Sequence, residues 1–294
     1  MTRRQFGLSA LAAAAAPEAE LTRFQLACMT LPYSPFPFER ALKGIRGAGY
    51  QYVAWGTQHQ KVPILDWKAP ASKARELASQ CKSEGLTPVM MFATVNIESP
   101  DGPDAHARRI EQAQAAGIPF VLTFGKTERG LYENAIKTLK YAGPLARQAG
   151  LLVVIKQHGG NTATGSDCAK IAAEVADEGV KVCYDAGNVL DYENNDPIPD
   201  IQKCWREVRA FCIKDHRNTP KDEDCGPGFG EIDHYKLFAP VMRTGLTMPL
   251  AFENIFEPLV KRPANPEGVD ALARRAREYM ESVLNGLSAA QLQG

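Results

Sequence analysis

"LLVVIKQHGG" (Leu151–Gly160) is the stretch that best predicts how this chain folds. Five apolar residues run directly into Lys156, Gln157 and His158, and a glycine pair follows. A short apolar run bounded in this way is typical of a strand that is covered on both faces, as in a parallel sheet. Such a strand brings Lys156 to the edge where the chain leaves the core. The segment therefore indicates a functional edge as well as a fold.

Seven other runs have the same character. They are FQLACMTL (24–31), QYVAWG (51–56), TPVMMFATV (87–95), PFVLTFG (119–125), VKVCYDAG (180–187), VRAFCIKD (208–215) and MPLAFENI (248–255). Helical patterns that end in glycine separate most of these runs. Eight such units predict an α/β fold, a closed (β/α)8 TIM barrel, with residues 21–294 as one domain. An open doubly wound sheet is the alternative, but LACMTLPYSPFPFE lacks the glycine fingerprint that such a fold usually carries after its first strand.

Composition narrows the classes of function. Lys+Arg and Asp+Glu both number 34, so the formal net charge is zero. That balance gives no electrostatic footprint for nucleic acid or an anionic membrane. The seven cysteines are scattered without a CxxC pair, which argues against a thiolate zinc site and a disulfide scaffold.

The N-terminus has a different pattern. Arg3, Arg4, Gln5 and Phe6 precede a short apolar stretch and an alanine run, which resembles a twin-arginine export signal. Residues 1–20 are therefore predicted to be a cleaved signal or a disordered extension. Export predicts a periplasmic location, with the cytoplasm as the alternative. After signal removal no stretch approaches the roughly 18 apolar residues that a membrane span needs.

Polar residues collect where the predicted strands end, and this is where such barrels form their sites. Because side chains alternate along a strand, inward-pointing Cys183, Cys212 and Ala251 would place Asp185, Lys214 and Glu253 at the mouth. Self-satisfied ion pairs are the competing interpretation, though burying so many charges without a purpose is costly. The candidate residues are Lys156, His158, Asp185, Lys214 and Glu253 for catalysis, and His59, Asn96, Asn188 and His216 for substrate binding.

Five segments in this order resemble elements of the sugar phosphate isomerase/epimerase family, the xylose isomerase-like barrels. They are IKQHGGNTATG, CYDAGN, CIKD, GPGFGEIDHYKLFAPVMRTG and LAFENI. The resemblance implies a divalent metal held by a strand-five Glu, a strand-six Asp, a strand-seven His and a strand-eight Glu. The matching positions here are Lys156, Asp185, Cys212 and Glu253, so two of the four ligands are replaced.

Lys156 stands where the resemblance implies a metal-binding carboxylate. A manganese or magnesium ion held by Asp185 and Glu253, with His158 or His216, remains an alternative, but the ammonium group would repel it. We predict instead that Lys156 pairs with Asp185 or Glu253 and supplies positive charge to a substrate carbonyl or enolate. No cofactor is then certain.

The leading hypothesis is an enzyme that acts on a small sugar or keto-sugar by proton transfer next to a carbonyl. Isomerisation, epimerisation and β-elimination share this step, which needs a base and a cation for the enolate. Glu253 is the expected base, with Asp185 as its partner, while Lys156, Lys214 and His158 stabilise oxyanions or donate protons. The alternatives are a Schiff-base lyase or aldolase that uses Lys156 or Lys214, and a non-catalytic sugar-binding barrel. A nuclease is disfavoured by the zero net charge and the replaced ligands.

Overall fold

In the computed structural model, residues 20–291 can be described, and the predicted export signal lies outside them apart from Glu20. The barrel strands are β1 (Arg23–Met29), β2 (Tyr52–Trp55), β3 (Thr87–Phe92), β4 (Phe120–Phe124), β5 (Leu152–Lys156), β6 (Val180–Tyr184), β7 (Val208–Ile213) and β8 (Thr247–Phe252). These eight parallel strands close a barrel in the order β1-β8-β7-β6-β5-β4-β3-β2, which confirms the predicted (β/α)8 fold.

Helices surround the barrel. They are α1 (Phe38–Gly47), α2 (Ala71–Ser83), α3 (Gly102–Ala116), α4 (Tyr132–Gln148), α5 (Gly165–Val175), α6 (Ala186–Glu193), α7 (Pro197–Cys204), α8 (His234–Phe238) and α9 (Pro266–Gln291). Within residues 20–291, none of them combines the length and the apolar character that crossing a bilayer requires.

The apolar core has two layers. The larger layer lies between the strands and the helices, and a smaller one fills the barrel interior. Side-chain size differs between the two sides of the interior. Strands β3 and β4 supply large side chains, whereas β6, β7 and β8 supply the small residues Cys183, Ala210, Cys212 and Ala251. The prediction that these small cysteines and Ala251 point inward is confirmed. Small residues on this side leave room above them for charged side chains at the mouth.

Two helices between β6 and β7 were not predicted. Asp185 caps α6 by accepting a hydrogen bond from the Asn188 backbone, and Asp196 caps α7 in the same way just before Pro197. Aspartate at the N-cap and proline at the first helical position are recognised start signals. Both helices are only eight residues long, which is shorter than the window over which a helical pattern can be recognised in a sequence.

One of the helical patterns that end in glycine is EIDHYKLFAPVMRTG (residues 231–245), and its helix is shorter in the structure than this pattern predicts. Only α8 and a 3-10 turn at Ala239–Val241 form, because Pro240 cannot continue an α-helix. The chain after β7 also differs from the prediction, since Asp215–Arg217 pairs with Glu223–Cys225 as a separate antiparallel hairpin. Likewise, Gln58–His59 belongs to a small hairpin with Val62–Pro63 and not to β2.

Candidate active site

A buried lysine lies between two carboxylates at the C-terminal mouth of the barrel. Lys156 ends β5, and its Nζ is 2.8 Å from both carboxylate oxygens of Glu253 and 3.1 Å from Oδ2 of Asp185. The Lys156 side chain is 4% exposed, Asp185 is fully buried, and Glu253 is 17% exposed. The predicted ion pair of Lys156 is therefore confirmed, and it involves both acids.

Lys156, Asp185 and Glu253 form a triad in which the pKa values of the two acids shift in opposite directions. Burial by itself lowers the pKa of Lys156, but the neighbouring Cys212, Glu253 and Asp185 outweigh it and raise the pKa well above its ordinary value. Burial would raise the pKa of Glu253, yet the ammonium groups of Lys156 and Lys214 lower it to about 2. For Asp185 burial prevails over the same lysines, and its pKa is raised. Lys156 is thus a fixed ammonium, and Glu253 is its principal counter-ion.

The polar side chains meet a cavity of about 230 Å³ at the mouth. This is slightly smaller than the roughly 300–1,000 Å³ of pockets for drug-sized ligands, so it suits a small molecule. The lining residues are Leu31, Pro32, Lys156, His158, Asn188, Tyr192, Lys214, Asp224, Glu253, Asn254, Phe256 and Arg262. Asp185 is not among them, because it lies behind Lys156.

Gln157 organises the backbone behind the triad. Its side-chain oxygen accepts a hydrogen bond from the Asp185 backbone at 2.6 Å, and its carbonyl accepts one from the Asn188 amide at 2.6 Å. These bonds join the end of β5 to the start of α6. Gln157 was not among the predicted site residues, although a polar residue between two candidates at the end of a buried strand is a signal of such a role.

Lys214 brings a second ammonium group to the cavity. Its Nζ donates to Oδ2 of Asp224, and only 6% of its side chain is exposed. A Cβ at Gly187 would lie 2.6 Å from Cγ of Lys214, so the glycine makes room for the lysine stem. Burial lowers the pKa of Lys214, but Asp185 and Glu253 outweigh that effect and raise it.

His158 forms an aromatic wall of the cavity. Its ring lies 4.6 Å from Phe124 and 5.0 Å from Tyr192, measured between ring centroids. Burial, followed by the charge of Lys156, lowers the pKa of His158, so the imidazole is neutral near pH 7. Over the described part of the chain, its Nδ1 is buried without a hydrogen-bond partner.

Of the four residues predicted to bind substrate, one lines the cavity and three do not. Asn188 lines the cavity, whereas His59, Asn96 and His216 lie outside its lining. Nδ1 of His59 is 2.7 Å from the Phe36 carbonyl. Asn96 is half-buried in the turn after β3, and His216 is buried against Asp224 in the second hairpin. The roles proposed for these three side chains would require contacts beyond this cavity.

Several lining residues were missed because they come from loops outside the strand ends. Tyr192 lies on the unpredicted α6, and Arg262 stacks over the Phe256 ring at 4.4 Å in the segment after β8. Asp224 belongs to the second hairpin. An arginine and two aromatic residues near a strand end are signals of a ligand site, but only the fold shows that they face it.

The residues at the barrel centre do not fit a divalent metal. Asp185, Cys212 and Glu253 place donor atoms within 4.8 Å of one another. However, Lys156 Nζ is in ion-pair contact with both acids and is 3.8 Å from the Cys212 sulfur. Burial raises the pKa of Cys212 well above its ordinary value, so the sulfur is a neutral thiol and a poor ligand. A cation placed here would have to displace the ammonium group.

Comparison with solved structures shows the same architecture. A Mycobacterium smegmatis xylose isomerase-like TIM barrel protein in complex with magnesium has a TM-score of 0.70 at 16% identity, covering 90% of this chain and 97% of the other. An L-ribulose 3-epimerase has a TM-score of 0.70 at 16% identity, covering 94% and 98%. The probable 3-DHS dehydratase AsbF from Bacillus anthracis has a TM-score of 0.63 at 11% identity, covering 88% and 98%.

Sequence comparison gives the family. No curated protein matches the chain. The sequence profile of the xylose isomerase-like TIM barrels matches residues 42–281, which is most of the barrel. The chain therefore belongs to the xylose isomerase-like TIM barrel family.

Proposed function

We propose that this chain is a carbohydrate isomerase, epimerase or lyase that moves a proton next to a carbonyl, with Lys156 supplying the cation at the barrel centre. The observation that carries the proposal is the contact of Lys156 with Glu253 at the floor of the cavity, 2.8 Å from Nζ to each carboxylate oxygen. Removing a proton next to a carbonyl creates an enolate, so the reaction needs a base and a fixed positive charge. Both are present within one contact.

The ammonium groups serve as the electrostatic part of this site. Lys156 and Lys214 both line the cavity, and neighbouring carboxylates keep both protonated. Each can donate a hydrogen bond to a developing oxyanion. Because Asp185 is buried behind Lys156 and outside the cavity lining, we assign it a positioning role: it holds Lys156 and does not touch the substrate.

Substrate binding would activate Glu253. In the ion pair its low pKa makes it a weak base, whereas an effective base has a pKa close to the working pH. A substrate oxygen that accepts a hydrogen bond from Lys156 competes with Glu253 for the ammonium group. Glu253 then loses part of its stabilisation, its pKa rises, and it can accept the proton from the carbon next to the carbonyl.

The structural neighbours support this class of reaction. One is titled an L-ribulose 3-epimerase and another a probable 3-DHS dehydratase. In a 2-ketose, carbon 3 is next to the carbonyl, so its inversion can begin with removal of that proton. Dehydration of a hydroxyketone can begin with the same step.

The Schiff-base alternative is less well supported. A lysine nucleophile must be a neutral amine, and such lysines have lowered pKa values. Lys156 and Lys214 have raised pKa values instead, because carboxylates surround them. The geometry favours their use as fixed charges.

Solvent hydrogen exchange tests the proposal. The full chain would be incubated in D2O with a panel of ketoses and keto-sugars, and deuterium incorporation would be followed by NMR. We expect deuterium at a carbon next to the carbonyl of at least one substrate, with loss of incorporation in Glu253→Gln. Glu257→Gln is the matched control, because Glu257 is an exposed acid on the same loop and outside the cavity lining. A sugar that binds without exchange or turnover would indicate the sugar-binding barrel instead.

A further inference from the structure

A second group of acids gathers around a buried histidine beside the cavity. His216 belongs to the Asp215–Arg217 strand. Its Nδ1 lies 3.1 Å from Asp224 and 3.9 Å from Asp191, and its Nε2 lies 3.4 Å from Asp222. Asp191 lies on α6, whereas Asp222 and Asp224 lie in the hairpin after β7. We call these four residues the His216 cluster. Donor atoms of Asp191, His216 and Asp222 lie within 4.8 Å of one another.

The hydrogen bonds of His216 leave one ring nitrogen open. Nδ1 is 3.1 Å from Oδ1 of Asp224, an acceptor that fixes the proton on Nδ1. In the neutral imidazole, Nε2 then carries the free lone pair. It is buried and has no hydrogen-bond partner within residues 20–291, and it faces Oδ1 of Asp222 at 3.4 Å. A histidine that ligates a metal through one nitrogen commonly donates its other N–H to a carboxylate in this way.

The negative charges of the carboxylates in the cluster would also favour a bound cation. Three carboxylates surround the imidazole, and Lys214 forms an ion pair with Asp224. Two further basic residues of this hairpin are engaged elsewhere: Lys221 pairs with Glu223, and Arg217 donates to the carbonyl of Thr219. Within residues 20–291, neither Asp191 nor Asp222 forms an ion pair with a lysine or an arginine.

We propose that the His216 cluster binds a divalent transition-metal ion such as Mn²⁺ or Zn²⁺. The ligands are Nε2 of His216 and the carboxylates of Asp222 and Asp191, and Asp224 orients the imidazole. Mixed imidazole and carboxylate donors suit ions of this class. With metal–ligand distances of about 2.0–2.2 Å, neighbouring ligand atoms lie roughly 3.3 Å apart, close to the spacing of Nε2 and Asp222. The Asp222 side chain is 73% exposed, which gives an entry path from solvent.

This site differs from the position at the barrel centre. It shares no ligand with Asp185, Cys212 or Glu253, and its occupancy does not require the displacement of Lys156. A bound ion would join α6 to the second hairpin. It would also fix Asp224, the residue that holds Lys214 at the cavity. The inference therefore stands apart from the proposed reaction, although the two sites are neighbours.

The test is titration of Mn²⁺ into the chelator-treated full chain, followed by calorimetry and electron paramagnetic resonance. We expect one saturable site, competition by Zn²⁺, and at least tenfold weaker binding in both Asp222→Asn and Asp191→Asn. Glu223→Gln is the matched control, because Glu223 lies between Asp222 and Asp224 but pairs with Lys221, and it should bind Mn²⁺ like the unmodified chain.

Spectroscopy on the unmodified chain tests the histidine ligand without a variant of a buried residue. Bound Mn²⁺ should show electron spin-echo modulation from one directly coordinated imidazole nitrogen. Absence of saturable binding would overturn the proposal, as would binding that both aspartate variants leave unchanged. Loss of the site in Glu253→Gln with retention in Asp222→Asn would place the metal at the barrel centre and would also overturn it.

Discussion

The Nζ atom of Lys156 lies 2.8 Å from both carboxylate oxygens of Glu253, across the open end of the barrel. The two residues end β5 and follow β8, strands that are not neighbours in the barrel. The long lysine stem therefore spans the barrel to reach the acid. A charge at this central position can act on a substrate held by any of the surrounding loops, and this makes the pair the focus of the following predictions.

Glu253→Gln should abolish turnover and leave the barrel folded. The amide keeps the shape of the side chain but cannot accept a proton, and a general base contributes roughly 10²–10⁴-fold to a rate. Steady-state kinetics on a substrate found by deuterium exchange would measure the loss, with circular dichroism as the check on folding. Activity within tenfold of the unmodified chain would show that another group is the base.

The ion pair should also give stability that acid removes. The ordinary pKa of the Glu253 carboxyl is 4.5, and in the folded chain it is lowered to about 2. A lowered pKa contributes stability that is complete above the ordinary value and is lost as the pH falls towards the folded one. The difference in free energy of unfolding between the unmodified chain and Glu253→Gln should therefore shrink between about pH 5 and pH 2. Urea unfolding across this range is the measurement, and a difference that grows on acidification would contradict the sign of the shift.

The sequence predicted the barrel and the central ion pair for the same physical reason. Alternation along a strand is a local rule, so small residues at Cys183, Cys212 and Ala251 pointed the next charged positions to the mouth. The C-terminal ends of the strands lie close together in a closed barrel. A lysine at the end of one strand is therefore expected to contact an acid at the end of another.

The rest of the site depends on the conformation of the loops. Hydrophobic periodicity in a sequence predicts strands and helices but does not predict how loops run. His59 looked like a strand-end residue, but the chain had already left β2 and turned into a hairpin. Tyr192 faces the cavity because Asp185 caps a short helix directly after β6. Arg262 lines the cavity although it lies 13 residues after Pro249 of β8. At that separation the sequence alone does not predict which way the side chain points.

Gly187→Ala should impair activity more than stability. The new Cβ would meet Cγ of Lys214 at 2.6 Å, so the lysine must leave its position between the cavity and Asp224. Gly187 lies in α6, where alanine is favoured by up to about 1 kcal/mol over glycine, which offsets part of the strain. We expect at least a tenfold fall in kcat/KM with a small change in Tm. Unchanged kinetics would show that the lysine position is unimportant.

The chain isolated from its native host should lack the first 20 or so residues. Arg3 and Arg4 precede the short apolar stretch and the alanine run that resemble an export signal. Intact-mass measurement of the native protein would locate the mature N-terminus, and replacement of both arginines by lysine should block export. A mature chain that begins at Met1 would contradict the export hypothesis.

The last prediction concerns exchange of the built-in cation for a metal. Lys156→Glu removes the ammonium group and places a third carboxylate beside Asp185 and Glu253, whose charges then repel one another. A divalent cation relieves that repulsion, and oxygen ligands suit manganese. The variant should therefore lose its native activity and gain a Mn²⁺ site at the barrel centre.

Titration calorimetry would be carried out in an Asp222→Asn background, so that the proposed His216 cluster adds no binding of its own. Lys156→Gln in the same background is the matched control, because it removes the ammonium without adding a carboxylate. We expect Lys156→Glu to bind Mn²⁺ at least tenfold more tightly than Lys156→Gln. Equal affinity in the two variants would mean that the remaining residues cannot form a metal site, and that Lys156 is not simply a replacement for one.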